Sequence, residues 1–142
     1  RRKIGLWRHC CTSRRNDRMK FIIYNGSLTA DAESNTFKVC KMAQLAFEKM
    51  NHGCEVITLR DLDYEGSTSD VNDELKPHIM KMFKADGVIF ATPIWWGNHS
   101  CHIQAMLERL DVIYSWAKDN KHQPFYNKVF GSRNYWQCYL GS

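Results

Sequence analysis

From Lys20 onward the chain alternates short, wholly apolar runs with longer stretches of helical period, and this alternation constrains its fold more than any other feature. Phe21-Ile22-Ile23-Tyr24 and Gly87-Val88-Ile89-Phe90-Ala91 lack polar alternation, as strands covered on both faces require. The stretch from Ser34 to Asn51 places Phe37, Cys40, Met42, Ala43, Ala46, Phe47 and Met50 at helical spacing, with Ser34 as its cap. Residues 55–59 predict a second strand, and Arg60 to Ser69, rich in acidic and small polar residues, predicts a surface loop. A helix near 72–84 follows, with Pro77 early in it, where a missing donor is tolerated. Ser100 to about Trp116 predicts another helix, with Ile103, Met106, Leu107, Leu110, Ile113 and Tyr114 on one side. Repeated strand–helix–strand units imply an α/β fold with a doubly wound parallel sheet. Lys128-Val129-Phe130 opens a fourth strand. After Gly131 the pattern stops, so the sheet is expected to end with that strand as an exposed edge.

Charge sorts the chain into two parts. The 142 residues carry 20 basic and 15 acidic side chains, a formal charge of +5. Arg1, Arg2, Lys3, Arg8, Arg14, Arg15 and Arg18 stand against Asp17 alone in residues 1–18, so residues 19–142 are close to neutral. The expected organisation is a basic, disordered leader over 1–18 and one domain over 19–142. The leader has no apolar run long enough for a secretory core or a membrane span. It reads as a dispensable extension ahead of a start at Met19, and is the one part that would suit a nucleic acid or a targeting role. The six cysteines (Cys10, Cys11, Cys40, Cys54, Cys101, Cys138) form no Cys-x-x-Cys pair and no evident disulfide framework, which points to a reducing, cytoplasmic setting.

Two segments that follow predicted strands carry the chemistry. Asn25 to Glu33 holds Gly26, Ser27 and Thr29, and Ser34-Asn35-Thr36 opens the next helix. Free amides in a first helical turn and nearby hydroxyls suit an anion such as phosphate. The plainer reading is a turn at Gly26 and a cap at Ser34. Asp31 and Glu33 must then point away from any phosphate. No lysine follows at P-loop spacing, and Gly26 stands alone where a dinucleotide fingerprint needs three glycines.

The second segment is Thr92-Pro93-Ile94-Trp95-Trp96-Gly97-Asn98, expected as an irregular loop shaped by Pro93 and Gly97. Two tryptophans in a loop should cover something: a flat heteroaromatic ring, a subunit interface or simply the core. His99, Cys101 and His102 sit at the turn into a helix and do not converge as metal ligands, so no metal is expected. Cys101 at a helix start is a candidate reactive thiol. Met42, Met106 and Cys40 read as core filling, and Glu48/His52 and Glu108/Arg109 as solvated helix faces.

In this order, the pieces resemble the flavodoxin-like NAD(P)H-dependent FMN reductases over residues 20–131. The matching residues are Gly26-Ser27 with Ser34-Asn35-Thr36, Ala85 to Phe90, and Thr92 to Asn98 running into Gln104 to Leu110. The resemblance implies that Ser27, Ser34, Asn35 and Thr36 hold the phosphate of FMN. It implies that Thr92, Pro93, Ile94, Trp95, Trp96, Gly97 and Asn98 line the isoalloxazine ring. Three departures stand out: the first loop lacks the family's common arginine or lysine, Cys101 replaces a small residue, and no third loop follows the fourth strand. Residues 60–75 contain no cysteine, which disfavours an iron–sulfur relative.

The implied activity is electron transfer from NAD(P)H through FMN to a quinone, flavin or similar small acceptor, by a homodimer and with no membrane partner. The hydride chemistry belongs to the isoalloxazine, so no catalytic side chain is assigned. Three alternatives remain: a flavodoxin-type electron carrier, a binding module using its basic arm on nucleic acid, and an inactive, incomplete fragment.

Overall fold

The computed structural model describes residues 18–121, Phe125 and residues 128–136, the last five by backbone alone. Of the expected leader only Arg18 falls among them; residues 1–17 and 137–142 lie outside. Four strands, β1 (Lys20–Asn25), β2 (Gly53–Thr58), β3 (Gly87–Ile94) and β4 (Val129–Trp136), alternate with three helices, α1 (Asn35–Lys49), α2 (Leu75–Met82) and α3 (Cys101–Asp119). All strand pairs are parallel and the sheet order is β2-β1-β3-β4. The chain moves outward from β1 to β2, then returns to the other side of β1 for β3. The switch point of this flavodoxin-like sheet therefore lies between β1 and β3.

The two faces of the sheet are covered unequally. On one, Ile22, Tyr24, Ile57 and Val88 pack with Leu75, Ile79 and Met82 of α2 and Ile103 and Met106 of α3. The Tyr24 hydroxyl donates to the carbonyl of His78 at 2.6 Å, which satisfies its only buried polar group. On the other face, Ile23 and Ala91 meet Cys40 and Ala43 of α1. Phe21 stacks on Phe47 at a centroid separation of 4.0 Å.

Four expectations about the elements are corrected. Met42, expected in the core, is 69% exposed, and Met50 is exposed with it; α1 meets only the sheet, so the narrower arc of Phe37, Cys40, Ala43 and Phe47 is enough to seat it. In the same way Leu107 and Tyr114 of α3 face outward. The stretch after β2, expected as a surface loop, sends Leu62 and Tyr64 onto the larger core. Finally, β4 runs through Trp136, well past Gly131, in register from Gly87↔Val129 to Ile94↔Trp136. Residues 131–134 lack strand alternation, and it is the backbone pairing with β3 that defines the strand there.

Candidate functional site at the switch point

The loops after β1 and β3 leave the sheet side by side at its carboxyl edge. The Gly26 amide donates to the Ala91 carbonyl at 2.8 Å and joins them where they start. A Cβ on Gly26 would lie 2.5 Å from Ile103 Cγ1 and 2.7 Å from Ser100 Oγ, so only glycine lets the first loop pass beneath the start of α3.

Within the first loop, side chains hold the backbone. Ser27 Oγ donates to Ser34 Oγ at 2.6 Å and accepts from the Thr29 amide at 3.3 Å. Ser34 caps α1, its hydroxyl accepting from the Phe37 amide at 3.0 Å. Asn25 Oδ1 accepts from the Ser27 amide at 3.2 Å. The amides of Asn35 and Thr36 donate to no acceptor among the described residues. Ser27, Ser34 and Thr36 are buried and Asn35 is exposed. The structure thus brings the four predicted residues together as two free amides at the positive end of α1 behind a wall of hydroxyls. This donor set fits a phosphate monoester.

The second segment departs from expectation in form. Thr92, Pro93 and Ile94 belong to β3 rather than to a loop. They are ordered because β4 reaches far enough to pair with all three. The turn itself is confined to Trp95–Asn98, whose end residues exchange two backbone hydrogen bonds of 2.9 Å. Trp96 at φ 50° and Gly97 at φ 82° are its central pair, the geometry of a type I′ turn. Asn98 spends its amide on that turn. Trp95 is half-buried, whereas Trp96 is 98% exposed. Behind the turn, Thr92 Oγ1 accepts from the Ser100 amide at 2.9 Å, and Ser100 caps α3.

Sequence reasoning missed the loop after β2, which forms the third side of this edge. Arg109, expected on a solvated helix face, is 4% exposed. Its guanidinium pairs with Asp73 at 2.7 and 3.2 Å and donates to the carbonyls of Glu65 and Val71 at 2.8 and 3.3 Å. The hydrogen bond from Arg109 holds the Asp73 carboxyl below its ordinary pKa. Tyr64 from the same loop shares a 2.5 Å hydrogen bond with His102 Nδ1 at the start of α3. Burial pushes the Tyr64 phenol up to about 12. Burial, and then the charge of Arg60, lowers the pKa of His102. No apolar period marks any of these residues. The one available signal was the run of acidic and small residues ahead of α2, which a buried arginine can organise.

Cavities elsewhere do not compete for these residues. A cleft of about 560 Å³ at the amino edge is lined by Lys20, Gly53, Cys54 and Lys81, and another of about 500 Å³ lies between Met80 of α2, Phe83 just after it, and Val112 and Trp116 of α3. Among the described residues no helix is long and apolar enough to cross a membrane.

A family model described as NADPH-dependent FMN reductase matches residues 19–135. Among solved structures, RosB with bound 8-demethyl-8-formylriboflavin-5'-phosphate is 26% identical with a TM-score of 0.69, over 82% of this chain and 51% of RosB. A flavone reductase is 21% identical with a TM-score of 0.61, over 82% of this chain and 43% of its own. The Trp repressor binding protein of Bacillus subtilis is 21% identical with a TM-score of 0.53, over 81% and 65%. The last two show the fold alone. The chain spans about half the length of RosB and less of the flavone reductase. No curated protein matches it.

Proposed function

The chain belongs to the NADPH-dependent FMN reductase family, whose cofactor is FMN with NAD(P)H as co-substrate, and on that premise we propose that it passes electrons from NAD(P)H through bound FMN to a small acceptor such as a quinone or a flavin. The observation that carries the reading is the junction at the switch point. There the Gly26–Ala91 hydrogen bond joins the loop that leads to the two free amides of α1 with the loop that carries the tryptophan turn.

In this proposal Ser27, Ser34, Asn35 and Thr36 hold the flavin phosphate through hydroxyls and the free first-turn amides. Thr92 to Asn98 line the ring, with Trp95 and Trp96 supplying flat apolar surface that excludes water from one side. The amides of Trp96 and Gly97, which the turn's own hydrogen bonds leave unused, orient the ring's polar edge. When bound, the flavin supplies the hydride acceptor and donor chemistry, and the chain needs no acid or base of its own. A homodimer forms part of the proposal, supported by the full exposure of Trp96 at the lip of the site.

The test is to load the purified chain with FMN, remove the excess by gel filtration and record the visible spectrum. Retained flavin absorbance that bleaches on adding NADPH is the expected result. Folded protein that retains no flavin overturns the reading.

A further inference from the structure

The first loop carries two carboxylates, Asp31 and Glu33, and no cation of its own. The structure brings one from another element. β2 runs in register with β1 up to Asn25↔Thr58, and Asn25 Nδ2 donates to Thr58 Oγ1 at 3.3 Å, so the loops after β1 and β2 leave the sheet as neighbours. Two residues beyond Thr58, Arg60 reaches back toward the first loop. Its Nη2 lies 3.9 Å from Asp31 Oδ1, beyond hydrogen-bond distance.

This pair is incomplete on both sides. Asp31 Oδ1 is buried and accepts no hydrogen bond. Arg60 meanwhile directs Nε and Nη2, at 3.2 and 2.9 Å, to Asp61 Oδ1. Asp61 is an adjacent residue with a side chain 55% exposed, and such a pair holds a guanidinium weakly.

We propose that Arg60 is the phosphate-recognition residue of this site, turning from Asp61 to a phosphate monoester held over the first turn of α1. Arginine suits the task because its planar fork offers paired donors to phosphate oxygens. Asp31 holds the cation near the loop while no phosphate is present. The inference rests on the reading of the first loop as a phosphate cradle. It adds a discrimination that the cradle alone does not provide: preference for a flavin that bears a phosphate over one that does not.

Fluorescence titration of the full chain with FMN and with riboflavin separates these claims. Wild-type protein is expected to bind FMN more tightly than riboflavin. Arg60→Gln should weaken FMN by about tenfold or more, as loss of a charge-assisted hydrogen bond does, and leave riboflavin within about twofold. Arg60→Lys should restore part of the preference, and Asp31→Asn, which removes a competing carboxylate, should tighten FMN. A parallel comparison of NADPH with NADH assigns the monoester: loss confined to NADPH moves it from the flavin to the dinucleotide. Equal loss for phosphorylated and unphosphorylated ligands, or no loss at all, overturns the proposal. Wild-type protein that binds neither flavin overturns the cradle itself, a result visible without any Arg60 variant.

Discussion

The loops after β1 and β3 sit side by side, yet they are held by opposite means. Ser27, Ser34 and Asn25 tie the first to itself with buried side-chain hydrogen bonds. The second is closed by two backbone hydrogen bonds and a 3.4 Å bond from Asn98 Nδ2 to the Trp96 carbonyl, and it pushes Trp96 into solvent. A buried polar network fixes one geometry, because each broken bond strands a partner away from water. A turn closed mainly through its backbone leaves the Trp96 ring at its tip in solvent. The difference suits the proposed site, in which the first loop would fix a phosphate and the second would cover the flat ring joined to it. The loop after β2 sides with the first, since Arg109 anchors it from α3.

Breaking that anchor should give the largest effect. Arg109→Ala leaves Asp73 without its ion pair in a mostly buried position and is expected to cost about 3–5 kcal/mol, read from urea unfolding. The paired change Arg109→Met with Asp73→Asn should cost much less, since it strands no charge. The same contact sets an acid dependence. The folded pKa of Asp73 lies below its ordinary value of 3.8, so its contribution is full above that pH and is lost as pH falls through the lower folded value. Arg109→Ala should therefore remove part of the wild type's loss of stability below about pH 4. An unchanged acid limb would show that the pair does not hold the loop.

Next comes the crossing point of the two loops. Gly26→Ala forces a Cβ against Ile103 and Ser100 and should cost about 1–3 kcal/mol, as overpacking does. Gly97→Ala meets nothing within 4 Å and loses only the backbone freedom its φ of 82° requires, about 1 kcal/mol. Thermal melts that place Gly97→Ala above Gly26→Ala in cost would reverse the contrast between a crowded loop and an open one. Ser34→Ala removes the α1 cap and the partner of Ser27. A loss of about 1 kcal/mol in stability is expected, together with weaker retention of FMN.

Much of this was legible in the sequence, for physical reasons that also mark its limit. Phe21 to Tyr24 and Gly87 to Ala91 are strands covered on both faces, and an apolar run with no alternation records that directly. Ser34 declares a helix start because few other residue types can cap one. Arg109 and Arg60 were illegible. Each meets a partner brought close only by the fold, Asp73 at a separation of 36 residues and Asp31 across two neighbouring loops. β4 was half legible: Val129 and Phe130 begin it, but Gly131-Ser132-Arg133-Asn134 has no apolar signal, and the strand continues because β3 presents an open backbone edge. Thr92 to Ile94 were misplaced for the same reason, since Pro93 reads as a turn residue until β4 is known to lie beside it.

The smallest expected effect tests the exposed loop most sharply, because its two readouts should move in opposite directions. Trp96 is an L-residue at φ 50° whose ring buries almost nothing, so the fold gains nothing visible from it. Trp96→Gly should raise stability by up to about 1 kcal/mol by relieving the left-handed backbone, a shift measurable as a higher Tm. If the ring lines the flavin, the same change removes a stacking contact worth about 0.5–1.5 kcal/mol and weakens FMN by about two- to tenfold. Riboflavin should weaken to the same degree, because Trp96 meets the ring and not the phosphate, which is the mirror image of the pattern expected for Arg60→Gln. A more stable variant with undiminished flavin affinity would take Trp96 out of the ring site and leave a subunit contact as the function that retains a strained tryptophan in solvent.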